Sequence, residues 1–291
     1  GNYLDVISAF PSQFANSLVY GGLATVLCFL IGYPLAYGIA FRGGRYKTLL
    51  LFLVIAPFFT NFLIRTISWK ILLGNDGPAL AILRDGLGLV PRNFNILGTP
   101  LAVVSGLTYQ FLPFMVLPLY VALEKIDQRL LEAARDLYAG PWRRPGVIVG
   151  GIGGALLATA FLLGLGYAEA TPAGLLQAAL PIVGAGVIGA AIASLLISET
   201  FVRVIFPLSL SGVFAGSILT FIPAIGDFVN VELLGNTRTQ MIGNVIQNRY
   251  LAQNDYPTAA ALSFMLMAAI LIAILVYARA LGTEELSGGR A

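Results

Sequence analysis

The sequence predicts an all-α, polytopic membrane protein, and three observations carry that prediction. Of its 291 residues, 58% are hydrophobic and only 11% are charged, far from the composition of a soluble domain. The mean hydropathy is correspondingly high, at +0.86. Apolar runs recur along the chain, each near the roughly 20 residues that a helix needs to cross a bilayer. The charges fall mostly between these runs, where a helix in lipid does not have to carry them. The length suffices for six or seven spans with their loops.

Composition also excludes chemistry. There is no histidine, which rules out a Ser-His-Asp triad, a His-ligated zinc and a His proton relay in this chain. The single cysteine, Cys28, lies inside an apolar run and has no internal disulfide partner. No G-x-x-x-x-G-K-[ST] segment occurs, so the chain carries no nucleotide-driven motor of its own. A net charge of +3 gives no case for nucleic acid as a partner. No cofactor and no metal site is expected.

Taken in order, residues 1–16 read as a polar and aromatic lead-in, and residues 17–41 as the first span, with Pro34 predicted to kink it. Arg42, Arg45 and Lys47 crowd the short loop that follows and mark it as cytoplasmic. Residues 48–72 form the second span, broken at Pro57. Its far end carries Thr60, Asn61, Arg65 and Lys70, too polar for lipid, and is expected to face protein or a cavity. An outside loop covers 73–97, and the third span covers 98–122 with Tyr109 and Gln110 within it.

The densest charged stretch, 123–137, comes next. Ile126, Leu130, Ala133 or Ala134 and Leu137 recur at helical spacing, Asp127 is placed to cap, and Glu132 is one turn or less from Arg129 and Arg135. A short amphipathic helix between spans is a docking knob for a partner groove, or else a solvated loop helix.

Residues 145–199 hold two more apolar runs, 147–165 and 175–197, separated by a polar break around Glu169. They read as a transmembrane hairpin that returns the chain to the same side. Gly184-Ala185-Gly186-Val187-Ile188-Gly189 fits G-x-G-x-x-G, but no strand precedes it. Close helix packing accounts better for these glycines and for the Gly150, Gly154 pair. Residues 202–226 form the next span, 227–256 an outside segment, and 257–281 the last span. The expectation is seven spans with the C-terminus cytoplasmic. The organisation expected is core spans 1–3 in 1–144, the hairpin in 145–199, and the last two core spans with the tail in 200–291.

Asp227 stands out among ionisable residues, because it follows the end of a span at Gly226. A carboxylate at the mouth of a low-dielectric cleft draws in cations, whereas an interfacial Asp is also a common helix cap. Asn230 and Glu232 are its expected neighbours. Tyr109, Trp69 and Phe221 are candidates to stack on an alkylammonium, although aromatics at span ends more often belong to the interfacial belt.

Glu132-Ala133-Ala134-Arg135-Asp136-Leu137 resembles the EAA signature of ABC importer permeases. The flanks agree with the spermidine/putrescine branch of that family. Those flanks are Leu112-Pro113-Phe114-Met115-Val116-Leu117-Pro118-Leu119-Tyr120, Thr200-Phe201-Val202-Arg203-Val204-Ile205-Phe206-Pro207-Leu208, Ala56-Pro57-Phe58-Phe59-Thr60-Asn61-Phe62-Leu63-Ile64-Arg65 and Leu233-Leu234-Gly235. The resemblance implies a type I importer permease fold in the cytoplasmic membrane, with an inserted hairpin. It makes Glu132, Ala133, Ala134, Arg135, Asp136, Leu137 and Gly140 the coupling residues that dock on a cytoplasmic ATPase dimer. It further implies a second permease subunit, an extracytoplasmic binding protein and a polyamine substrate. It also supports a pathway role for Asp227.

Two departures from the family pattern stand out. A family glycine falls on Tyr138, with Gly140 two residues later, and the Thr-Phe-x-Arg segment arrives only after residue 199. The family usually has one more span ahead of this chain's start, which is Gly1-Asn2-Tyr3, so a further upstream span is expected. Other solutes of related importers are ferric iron, a phosphonate and thiamine. An anion would need a pathway cation, for which Arg65 is the intramembrane candidate. A membrane-embedded enzyme would need acidic pairs within spans, which are absent. A regulatory subunit with a disabled coupling loop is the remaining class.

Overall fold

The computed structural model describes residues 10–81, 95–127, 129–130 and 201–280. The coupling residues Glu132, Ala133, Ala134, Arg135, Asp136, Leu137 and Gly140, and the predicted hairpin 145–199, lie outside them. Among the described residues all regular structure is helical.

Helix α1 spans Pro11–Arg42 as one uninterrupted element that runs through Pro34. It starts well before the predicted residue 17, because Pro11 at its first position has no N–H to leave unpaired. The predicted second span is not a single rod. α2 (Lys47–Ile55) passes into a 3₁₀ turn at Ala56–Phe59, and α3 (Phe62–Leu73) leaves at 95° to that first half. The break is at Thr60, whose backbone is extended, and Asn61, whose side chain accepts from Leu63 N at 2.8 Å and starts the new helix. Pro57 sits inside the 3₁₀ turn rather than at the bend.

After the short α4 (Pro78–Ala81) comes α5 (Pro100–Glu124), started by the Thr99 hydroxyl, which accepts from Ala102 N at 3.3 Å. The region predicted as one span over 202–226 is built in pieces. A π-helical turn covers Phe201–Ile205, α6 covers Phe206–Leu208, and α7 covers Leu210–Gly226. Pro207 lacks the N–H that a continuous ladder requires, which accounts for the irregular entry. The segment 227–256, expected to lie outside, is largely helical. It holds α8 (Val229–Leu234), α9 (Ile242–Gln247) and a π-helical turn at Asn248–Ala252. α10 (Tyr256–Ala280) closes the described chain.

Three of these helices are long and apolar enough to cross a bilayer, and the bent α2–α3 pair is a fourth candidate if it counts as one span. α7 is apolar but has 17 residues.

The core is a three-helix seam in which α1, α5 and α7 pack most closely. Water gives little hydrophobic drive between helices in lipid, so close backbone approach must do the work. Small residues on α7 allow it. A methyl at Gly212 would lie 2.7 Å from the Pro118 carbonyl oxygen, and one at Gly216 would lie 2.8 Å from Met115 Sδ. Some of the seam's polar atoms pair internally, whereas the buried Thr220 hydroxyl and Gln110 amide nitrogen have no partner among the described residues. Tyr33 and Ser209 share a buried O–H···O bond of 2.6 Å, and the Cys28 thiol donates to the Thr108 carbonyl at 3.3 Å. α10 is far more exposed and meets the rest mainly through α9.

Candidate functional site

The predicted pathway residues gather, with one exception, at the end of the bundle where α7 finishes and α8 begins. α7 stops at Gly226, shortly after Pro223. Asp227 is extended, and the chain turns directly into α8. Asp227 is only 8% exposed. One carboxylate oxygen accepts from Asn230 N at 2.9 Å and the other from Asn230 Nδ2 at 2.8 Å. Asp227 therefore does cap α8, as an interfacial Asp would, but from a buried position. Burial pushes its pKa above the ordinary carboxylate value, against the pull of the Asn230 hydrogen bonds.

Asn230 is buried in turn, and what admits it is Gly106 on α5. A methyl at Gly106 would come 3.1 Å from Asn230 Oδ1 and 3.5 Å from Trp69 Cδ1, and would collide with Leu234. Three elements (α3, α5 and α8) thus converge on one missing side chain. Beside this point the Trp69 and Tyr109 rings stack at 5.0 Å, inclined by 1°. Among the described residues the buried Trp69 indole N–H has no acceptor, and neither has the Gln110 amide nitrogen further along α5.

Glu232 is exposed and joins the network through Asn244 of α9. The Asn244 amide donates to the Phe228 carbonyl at 2.9 Å and to Glu232 Oε2 at 3.3 Å, and its oxygen accepts from Met241 N at 3.3 Å. The whole cap is pinned to the bundle. Gly98, at φ +81°, donates to the Leu234 carbonyl at 2.8 Å, and Ile242 N donates to Ser17 Oγ at 2.8 Å.

Phe221 is the exception. It lines a separate apolar cavity of about 430 Å³ between α1, α7 and α10, with Val26, Phe29 and Tyr277. Phe221 lies six residues before Asp227, so a helix turns it to a different face. Gly106, Asn244 and Gln110 belong to the site or border it, and were not chosen from the sequence. Gly106 gave no signal beyond its smallness, whereas Asn244 stood in the run of polar residues after Asp227.

Chemically, this end offers a desolvated carboxylate beside a stacked aromatic pair, a combination suited to an alkylammonium group. Among the described residues no group of three or more His, Cys, Asp or Glu is placed to hold a metal ion.

No protein-family model matches the chain. Individual relatives do. The spermidine/putrescine transport system permease protein PotB of Haemophilus influenzae is 35% identical over 280 residues, which cover 96% of this chain and 78% of that protein. This chain belongs to the ABC transporter permease family. The PotB of Escherichia coli is likewise 35% identical, over 91% of this chain and 76% of its own length. The inner membrane ABC transporter permease protein YdcU of Escherichia coli is 28% identical over 93% of the chain. The resemblance to the spermidine/putrescine branch, read from short motifs, therefore extends over most of the chain. As a permease the chain is a transport subunit and not an enzyme, and ATP hydrolysis belongs to a separate subunit of the transporter.

Proposed function

We propose that this permease forms half of the translocation pathway of an ATP-driven polyamine importer in a bacterial inner membrane. The observation that supports it most is the coincidence of two lines. The relatives at 35% identity are named for spermidine and putrescine transport. The buried Asp227–Asn230 pair, set beside the Trp69–Tyr109 stack, has the chemistry to receive an alkylammonium.

In this reading Asp227 supplies the charge and Asn230 holds the carboxylate in place. Glu232, more exposed, draws cations toward the mouth. Residues 132–137 and Gly140 form the coupling segment that docks on the ATPase dimer. The Asp127 carboxylate, which accepts from Arg129 N at 2.9 Å, starts that segment with a capped turn. An extracytoplasmic binding protein delivers the polyamine, a second permease supplies the other half of the pathway, and the C-terminus faces the cytoplasm.

The test is ATPase activity of the reconstituted complex with its binding protein, across putrescine, spermidine, ferric iron, phosphonates and thiamine. Stimulation by the polyamines alone is the expected result. Stimulation by another solute would move the substrate assignment, and no stimulation in an assembled complex would favour a regulatory subunit.

A further inference from the structure

One side of α6 and α7 is open. Leu208, Ser211, Ala215 and Leu219 are all exposed, and their spacings of three, four and four residues make one stripe about 16 Å long. Leu208, Ser211 and Ala215 form one wall of a groove of about 660 Å³, and Leu117, Val121 and Lys125 of α5 form the other. Two small residues one turn apart, set between two leucines, suit close packing by another apolar helix.

Where the chain leaves and returns indicates which helix that is. Leu130 lines this same groove, and the described chain resumes at Phe201, in the buried cluster with Leu123 and Ile126. Residues 175–197 are an apolar run without a charge, and only Ser198, Glu199 and Thr200 separate it from Phe201. Four peptide links span at most about 14 Å, so the end of the run is tethered beside the entry to α6. The other sides are already filled there. Phe201 and Phe206 pack on Tyr33 of α1 with ring centres 5.3 Å and 6.2 Å away, and Phe214 stacks on Tyr277 of α10 at 5.0 Å.

We infer that residues 175–197 form a helix that lies antiparallel in this groove, against α7 and α5. The two surfaces are complementary in size. In one antiparallel register Ala190 meets Leu208, Val187 meets Ser211, Val183 meets Ala215 and Ala179 meets Leu219. Each large side chain then faces a small one, as ridges facing grooves require. Gly184 and Gly186, part of the glycine-rich stretch that binds no nucleotide in this reading, let the backbones approach. Charge agrees as well, because Glu199 returns to the end of the groove where Lys125 stands.

The test uses the whole complex in membrane vesicles, with cysteine pairs and an oxidant. The native Cys28 is buried and lines no part of this groove. Ala215→Cys combined with Val183→Cys should form an intramolecular disulfide at least about fivefold more than Ala215→Cys combined with Ala185→Cys, since 183 and 185 lie on opposite sides of a helix and a disulfide needs close, aligned partners. A benzophenone amino acid at Ser211 should attach on illumination to a peptide within 175–197, a readout that needs no cysteine. Equal disulfide yields from the two pairs, or Ser211 adducts only to lipid or to the second permease, overturn the inference.

Discussion

Where α7 crosses α5, backbone approaches backbone. Gly212 faces the Pro118 carbonyl and the Leu119 Cα, and Gly216 faces Met115. Just beyond the end of α7 the same chain is held in another way. Asp227 is hydrogen-bonded to Asn230, Asn244 is hydrogen-bonded to the Phe228 carbonyl, and Gly106 provides the space for Asn230. The seam depends on volume and is indifferent to protonation. The cap depends on partners for polar atoms and on the charge of one carboxylate. In the proposed polyamine importer the two would serve as a rigid frame and as a polar end that a cationic solute perturbs.

Filling the seam should have the largest effect. Gly212→Leu drives a side chain into α5 backbone that cannot yield, and should cost about 3 kcal/mol or more, read as a lower melting temperature in detergent. An unchanged melt would mean that the two helices are not in register as described. Next in size is Asn230→Ala, which strips the side-chain hydrogen bond from a buried carboxylate and leaves the backbone one. A loss of about 2 to 3 kcal/mol is expected in the same assay.

The pH dependence should sharpen the contrast. Burial raises the Asp227 pKa, so the folded state holds that proton more tightly than the unfolded chain. Stability contributed by this group is therefore greatest below the ordinary carboxylate value of 3.8 and declines as pH rises through the raised value. Melting temperatures between about pH 4 and pH 7 should show that decline in the wild type and a smaller one in Asp227→Asn. The seam variant Gly216→Ala should leave the slope unaltered.

The smallest effect belongs to the ion pair between Lys47 and Glu124 at 3.6 Å, with side chains 29% and 47% exposed. Glu124→Gln should change stability by about 0.5 kcal/mol or less, since water and salt screen such pairs. A larger change would show that α2 and α5 are tied together more strongly than this contact implies.

How far the fold was legible depends on what each signal encodes. Apolar run length placed the cores of the spans well, because burial in lipid selects on composition alone. It did not reveal that α1 begins at Pro11, nor that α3 turns away at 95°, although Asn61 followed by an apolar run is a readable helix start. Pro57, the expected breaker, lies inside the 3₁₀ turn just before that break. Of the candidate site, the clustering of Asp227, Asn230 and Glu232 was legible, since a carboxylate beyond a span end is visible in sequence. The pairing of Trp69 with Tyr109 depends on how α3 packs on α5, and no local pattern reports that. Phe221 lines a cavity apart from Asp227, and the helical spacing between the two is itself readable in the sequence.

The central claim is that the Asp227 carboxylate receives the cationic substrate. The most direct measurement is spermidine-stimulated ATPase activity of the reconstituted complex carrying Asp227→Asn, which keeps the shape and most of the hydrogen bonding to Asn230 but removes the charge. The account predicts that the spermidine concentration giving half-maximal stimulation rises at least about tenfold, as expected when a desolvated charge contact is lost. A response to spermidine indistinguishable from wild type, in a complex that assembles normally, would contradict it.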